Sequence, residues 1–279
     1  MEHKNIIHFL SNQTSEQMMS FVIETEDDKL IVIDGGTCGD AEHLIETLRQ
    51  ITGVYQPHID AWFLTHSHLD HTGALVQLVK TQPGFFYIDK LYYNFPSLQY
   101  LKKYEGVFAV DFESFHAIEP QLAYAAETIT QGDSYDVGAA HFDVLYTCDP
   151  SITENVGNNS SSVLRMTLGG QTFMFLGDLG VEGGKKLLAM YGDRLQSDCV
   201  EMAHHGQNGV EKDVYAAIAP KACFWCAPQW LWDNDAGKGY NTHVWKTVIV
   251  RGWMQELGVK KDYVIKDGDQ HITLPISFD

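Results

Sequence analysis

Cationic side chains are scarce in this chain: 19 Lys and Arg stand against 37 Asp and Glu in 279 residues, a formal net charge of −18. Such a surface has few groups to replace the counterions of a polyphosphate. A long nucleic-acid partner is therefore disfavoured, and a small-molecule substrate is expected. Apolar runs are short. None approaches the roughly 18 residues that can span a bilayer. The opening Met1-Glu2-His3-Lys4-Asn5-Ile6-Ile7-His8 lacks the cationic and apolar regions of a secretory signal. A cytoplasmic protein without membrane association is the expectation. Cysteine is sparse too, five residues at irregular spacing, an odd count that suits a reducing compartment better than a disulfide framework. Cys223-Phe224-Trp225-Cys226 has no second pair, and on a strand its two sulfurs face opposite sides, which argues against zinc or redox work. Gly35-Gly36 is not followed by Gly-Lys-Ser/Thr and is no phosphate loop. Internal repeats and low-complexity tracts are missing. One domain over 1–279 with a single large core is expected.

Histidine, by contrast, is concentrated. Thr65-His66-Ser67-His68-Leu69-Asp70-His71 places three imidazoles and a carboxylate within six residues. The apolar run Ile59-Asp60-Ala61-Trp62-Phe63-Leu64 before it reads as a buried strand, so the cluster sits where a strand turns toward a helix. Neutral imidazole and carboxylate suit zinc, iron, manganese or cobalt. Alternation lets His66 and His68 point the same way while Asp70 and His71 swing round the turn. One peptide can then serve two metals, His66 and His68 for one, Asp70 and His71 for the other. The bland alternative is a surface cluster of no consequence, but four specified residues in seven seldom coincide by chance.

Strands and helices alternate along the rest. Strands are expected near 4–10, 18–25 and 30–34, followed by a helix capped by Asp40 and running to Thr52, with Leu44, Ile45, Leu48 and Ile51 at helical spacing. A second helix should start near Thr72 and stop before Pro83-Gly84. Residues 141–148 and 162–178 read as strands, the latter a hairpin turning at Gly169-Gly170. Strands at 198–203 and 222–227, a helix at 243–257 and a terminal pair of strands complete an α/β pattern with a mixed sheet. Residues 91–130 break the alternation. They carry Tyr92, Tyr93, Phe95, Tyr100, Tyr104, Phe108, Phe112, Phe115 and Tyr124, and read either as an aromatic lid insertion over substrate or as core-facing helices or an oligomer contact. Trp230 and Trp232, within Pro228–Asp235, are a second wall or a patch that a partner covers. His3, His8, His43, His58 and His116 are isolated and default to solvent or core.

His66-x-His68-x-Asp70-His71 resembles the signature of the metallo-β-lactamase fold superfamily of metal-dependent hydrolases. Leu30–Gly36 resembles its early strand ending in Asp-Gly-Gly, Phe173–Asp178 the strand whose terminal Asp bridges two metals, and Val200–Gly206 the late strand that delivers a further His. Asn158–Arg165, His204-His205-Gly206 and Tyr240-Asn241-Thr242-His243 are similar to the hydrolase domain of ComEC-type competence proteins, and such a domain would be expected here without the membrane channel. Stand-alone soluble members exist, and some relatives cleave phosphodiesters, including phosphocholine esters. The resemblance implies a four-layer αββα sandwich with metals at one edge between the sheets. It implies two divalent ions (zinc, manganese or iron) about 3.5–4 Å apart. His66 and His68 would hold one, Asp70, His71 and one of His204 and His205 the other, with His205 preferred, and Asp178 would bridge them. Their bridging hydroxide would attack phosphorus or a carbonyl carbon.

Asp70, His204 and His243 are then the candidate catalytic residues, His204 as a neighbour or proton carrier and His243 as a phosphate contact or leaving-group acid. Asp34 would orient a ligand or merely end its strand. The pattern departs from the family at one point. Many members supply a third His to the His66/His68 metal some twenty residues before the bridging Asp, yet no histidine occurs between His141 and His204. Asp149, Glu154, Asn158, Asn159 or water could stand in, and an oxygen ligand would favour manganese or iron over zinc. Class B β-lactamases usually lack His at the position of His71, flavodiiron reductases put Glu where His68 stands, and RNA-processing members carry an extra domain. The leading expectation is hydrolysis of a small phosphodiester or other phosphoester. The alternative is a carbonyl hydrolase acting on a lactone, thioester or amide, and third comes a non-catalytic metal-binding protein.

Overall fold

Leu30-Ile31-Val32-Ile33 is apolar at every position because both faces of its strand are buried. Ile31 and Ile33 face a second sheet, whereas Leu30 and Val32 face helices. This two-sided burial recurs along the chain and sets the architecture. In a computed structural model, which describes residues 4–84 and 86–278 apart from the side chains of Val107 and Phe108, fourteen strands form two seven-stranded sheets. His3 and the ring of Phe108 lie outside the described residues.

The first sheet contains β1 (Ile6–Phe9), β2 (Ser20–Glu24), β3 (Leu30–Asp34), β4 (His58–Phe63), β5 (Tyr87–Tyr93), β6 (Ala126–Thr128) and the late β14 (Gln270–Thr273), in the order β14-β1-β2-β3-β4-β5-β6. The second contains β7 (Ser134–Val137), β8 (Ala140–Tyr146), β9 (Val163–Leu168), β10 (Gln171–Phe175), β11 (Cys199–Glu201), β12 (Ala222–Trp225) and β13 (Lys261–Val264), in the order β13-β12-β11-β10-β9-β8-β7. Phe9, Phe21, Phe63, Phe142, Phe173 and Phe224 fill the space between the sheets, with Phe63 stacked on Phe142 at 4.4 Å. Helices α1 (Ala41–Thr52) and α2 (Leu69–Thr81) cover the outer face of the first sheet. Beyond α3 (Leu98–Tyr104), α4 (Val110–Leu122) joins that layer through Phe115 and Ile118. After the single turn α5 (Val156–Asn159), α6 (Val181–Tyr191) and α7 (Lys212–Ile218) pack Leu187, Val214 and Ile218 on the second sheet. The short α8 (Gln229–Trp232) precedes α9 (Thr247–Glu256), which adds Val250 and Met254 to the same layer. The result is the expected αββα sandwich.

Several local expectations shift. Asp40 does not cap α1: its carboxylate turns back to accept the Thr37 amide and hydroxyl at 2.8 and 2.6 Å, and the Gln13 amide at 2.6 Å. Helix α2 begins at Leu69 rather than Thr72, with His68 as its extended first flank, so Asp70 and His71 lie in its first turn. The two expected closing strands are present but lie in different sheets. A turn at Ile265–Asp267 and Gly268, at φ 90°, carry the chain from β13 in one sheet to β14 in the other. Helix α9 starts at Thr247, four residues later than the expected span of 243–257. The hairpin turn at Gly169-Gly170 stands, both residues having positive φ.

Within 91–130 the chain adds β6 beside β5 and two helices, with Phe112 and Phe115 fully buried and Tyr124 exposed on Tyr87. Cys223 faces the helices and Cys226 the inter-sheet core, and all five cysteines are free thiols. Among the described residues no helix is long and apolar enough to cross a membrane.

Candidate metal centre

The cluster forms where the adjacent parallel strands β3 and β4 end together. Asp34, fully buried at φ 53°, closes β3, and its carboxylate organises the loop after β4. Oδ1 accepts the Thr65 amide at 2.8 Å, and Oδ2 accepts the Thr65 hydroxyl and Nδ1 of His71, both at 2.7 Å. A carboxylate only accepts, so the His71 proton sits on Nδ1 and Nε2 is left free. That Nε2 points at Oδ1 of Asp178, 3.1 Å away. Asp34 thus both ends its strand and orients the His71 ring.

Asp178 arrives from the second sheet, just past β10. Its amide donates to the Ser161 hydroxyl at 3.0 Å, and the preceding Leu176 and Gly177 amides both donate to Glu201 Oε2 at 2.9 Å. His204 and His205 both adopt left-handed φ, 52° and 56°, which strand geometry cannot contain. Hence β11 stops at Glu201 rather than 203, and the two rings diverge. His205 is buried: Nδ1 donates to the Cys226 carbonyl at 3.1 Å, leaving Nε2 3.1 Å from Asp70 Oδ2 and 3.5 Å from Asp178 Oδ2. The His204 side chain is 19% exposed, with Nε2 3.7 Å from Asp178 Oδ2.

Two groups of ligand atoms result, each lying within 4.8 Å of one another: Asp70, His71, Asp178 and His205, and His66, His68 and Asp178. In the second group His66 Nε2 and His68 Nδ1 approach to 2.8 Å, and the His68 ring stacks on Phe112. Six of the expected ligands are therefore together, and Asp178 belongs to both groups. The residues fit a cation. Nε2 of His71 and Oδ1 of Asp178 are buried atoms without a hydrogen-bond partner although they converge, and imidazole with carboxylate is the donor set of zinc, manganese and iron.

Charge explains the arrangement. Burial works against an ionised Asp178, yet His205, His71, His204 and His66 hold it well below the usual carboxylate range. Asp70 is likewise lowered against burial by His71 and by the hydrogen bond from His205. Burial and then His71 keep His66 well below an ordinary imidazole, in the neutral ligating form. His71 and His205 are pushed well above it, the pull of Asp178 outweighing their burial. A cation held by these groups would take the place of any proton on Nε2 of the two rings.

A cleft of about 470 Å³ opens beside Asp70, lined by Ser15, Glu16, Gln17, Leu69, Asp111 and Trp230, with no Lys or Arg. A larger cavity of about 510 Å³, around Lys29 and Ile51, shares no residue with these two groups, although His58, Asp60 and Asp89 on its wall form a third, more exposed cluster of possible ligand atoms. Of the two expected wall tryptophans only Trp230 lines the cleft. Trp232 packs edge-on against Trp225 and beneath the Arg251 guanidinium. His243 belongs to neither ligand group. It is exposed and stacks at 3.8 Å on Trp245, which in turn meets Trp230 at 4.9 Å.

Sequence reasoning missed three supporting residues. Gln17 donates to Asp70 Oδ2 at 3.2 Å and is itself held by Gln207 at 3.0 Å. Nothing local marks either one. Glu201 did carry a signal, a carboxylate in the apolar run Cys199–Ala203; burial, then Asp178, pushes it up to about 8.

Comparison with known proteins agrees with this geometry. Residues 16–195 match the model of the metallo-beta-lactamase superfamily. The chain is 28% identical over 207 residues to competence protein ComA of Neisseria gonorrhoeae, covering 74% of this chain and 25% of that protein. It is 30% identical over 152 residues to ComE operon protein 3 of Bacillus subtilis (strain 168), covering 54% of this chain and 17% of that protein. It thus spans about a quarter or less of these relatives, which bear out the ComEC-type likeness. The metallo-beta-lactamase fold protein YhfI of Bacillus subtilis superposes with a TM-score of 0.55 at 13% identity, covering 96% of this chain and 99% of that one. On the match over 16–195, the chain belongs to the metallo-beta-lactamase superfamily.

Proposed function

We propose that the protein is a dinuclear metal-dependent hydrolase that cleaves a small phosphodiester or other phosphoester. The observation that carries this reading is the double membership of Asp178, whose Oδ1 faces His71 and whose Oδ2 faces His66 and His205. Paired divalent ions, when bound, supply a nucleophile at neutral pH by lowering the pKa of water and stabilise the attacking and leaving oxygens of an in-line displacement. A phosphodiester draws on both, because charge develops at opposite ends of its reacting axis.

The chain's own residues divide the remaining work. Asp34 and the Cys226 carbonyl fix the tautomers of His71 and His205. Asp70 is a ligand that also borders the cleft, so it faces substrate. In this reading His204, partly exposed beside Asp178, carries a proton between the reacting centre and solvent. His243, at the rim beyond Trp230 and Trp245, protonates the leaving group or contacts the phosphate. Glu16, Asp111 and Trp230 favour a ligand with an apolar or cationic portion over an extended polyanion. The free cysteines, three of them buried, support a cytoplasmic setting.

The test compares rates on a chromogenic phosphodiester, a lactone and plasmid DNA, each with manganese at low salt. Phosphodiester cleavage well above the other two is expected. Faster lactone opening would replace this reading with a carbonyl hydrolase, and salt-sensitive DNA cleavage would overturn the argument from charge.

A further inference from the structure

The two ligand groups are unequal: Asp70, His71, Asp178 and His205 make four, whereas His66 and His68 are joined only by Asp178. The stretch 157–162 closes over the smaller group. Gly157 lies so near His68 that a Cβ would come within 2.9 Å of its Nε2. Ser161 Oγ accepts the Asp178 amide at 3.0 Å, and the Ser162 amide donates to the Thr65 carbonyl at 2.8 Å. Asn158 sits inside this stretch, 6% exposed, and its Oδ1 is buried without a hydrogen-bond partner. Native interiors seldom leave an amide oxygen so. The Ser67 and Ser162 hydroxyls are also buried without a partner, but a carbonyl oxygen is the better donor to a hard divalent ion. The other amide and carboxylate side chains nearby are occupied or outside. Asn159 Oδ1 accepts the Gly183 amide at 2.9 Å, Asp149 is paired with Lys186 and takes the Ser151 amide, and Glu154 is exposed.

We propose that the amide oxygen of Asn158 is the remaining protein ligand of the His66/His68 ion, and that this site prefers a harder ion than zinc, such as manganese or ferrous iron. The inference rests on the dinuclear reading above. A neutral amide adds an oxygen without adding charge, and oxygen donors favour those ions over zinc.

Metal per chain is measured after manganese loading and dialysis, together with manganese affinity and manganese–zinc competition, for the wild type, Asn158→Ala, Asn158→Asp and Asn158→His. The wild type should hold two equivalents. Asn158→Ala should keep one and bind the other at least tenfold more weakly. Asn158→Asp should keep both and tighten the weakened one, and Asn158→His should shift that site toward zinc. Both equivalents bound by Asn158→Ala at wild-type affinity would overturn the proposal. Melting of the metal-free proteins reports whether Asn158→Ala still folds; if it does not, unchanged affinity and unchanged metal preference in the Asp and His variants overturn it instead. A wild type holding fewer than two equivalents would sink the dinuclear reading itself, whereas two equivalents indifferent to every Asn158 variant would sink the role of Asn158 alone.

Discussion

The two halves of the metal centre are built differently. Around Asp70, His71 and His205 every ligand has a polar backer: Gln17 and Gln207 behind Asp70, Asp34 behind His71, the Cys226 carbonyl behind His205. Around His66 and His68 support is thinner, a Thr65 hydroxyl 3.2 Å from His66 and the Phe112 ring stacked on His68. Backed ligands are pre-oriented, and an outer partner of this kind is worth about 10–100-fold in metal affinity. Under the proposed dinuclear reading, the half built on α2 and the His205 turn is expected to be the tighter one, and the half closed by 157–162 the one whose metal exchanges first.

The largest effect should come from the residue common to both halves. Asp178→Asn is expected to remove both ions and lower turnover by about a thousandfold or more, since a neutral amide cannot supply the charge that two cations share. Elemental analysis finding both metals still present would break the comparison at its root.

Next come variants that should separate the halves. His205→Ala should deplete only the ion held by Asp70 and His71, whereas His204→Ala should keep both ions and slow turnover. Exchange of these phenotypes would reverse the assignment of the two rings. Asp34→Asn should follow, leaving every ligand in place but weakening the His71 site about tenfold or more through the lost orienting acceptor. Equal weakening of both sites in a manganese titration would show that Asp34 acts on the whole loop rather than on His71.

The smallest expected effect concerns stability. Glu201 rises from 4.5 to about 8 because it is buried and lies near Asp178. The folded protein then holds a proton that the unfolded chain releases. The stability this lends is complete below the ordinary glutamate pKa and disappears as pH rises through about 8. Metal-free protein should melt progressively earlier between pH 5 and pH 8.5, conditions chosen to bracket that window, and Glu201→Gln should flatten the trend. A slope unchanged in the variant would assign it to other groups.

How much of this was legible beforehand divides along the same line. The heptapeptide at 65–71 exposed its ligands because their spacing is local, and the likeness to a known family extended the set to Asp178 and His205. His204 and His205 diverge because both take left-handed φ, which no periodicity reveals, and it is His205 that falls in the group with Asp70, His71 and Asp178. Gln17 and Gln207 act across 53 and 190 positions, so only the folded sheets bring them to Asp70. Strand and helix alternation gave only an α/β pattern with a mixed sheet, and the αββα layers came from the family likeness, whereas the division of β13 and β14 between sheets depended on one turn at 265–268. His243 took its role from resemblance alone, and its ring lies against Trp245, outside both ligand groups, where a substrate contact rather than a metal ligand was expected.

The most direct test is anomalous diffraction from crystals of the wild-type protein grown with manganese. Two anomalous peaks about 3.5–4 Å apart, one against His66 and His68 and one against Asp70, His71 and His205, with Asp178 between them, are the expected result. A single peak, or a pair that does not share Asp178, would contradict the account.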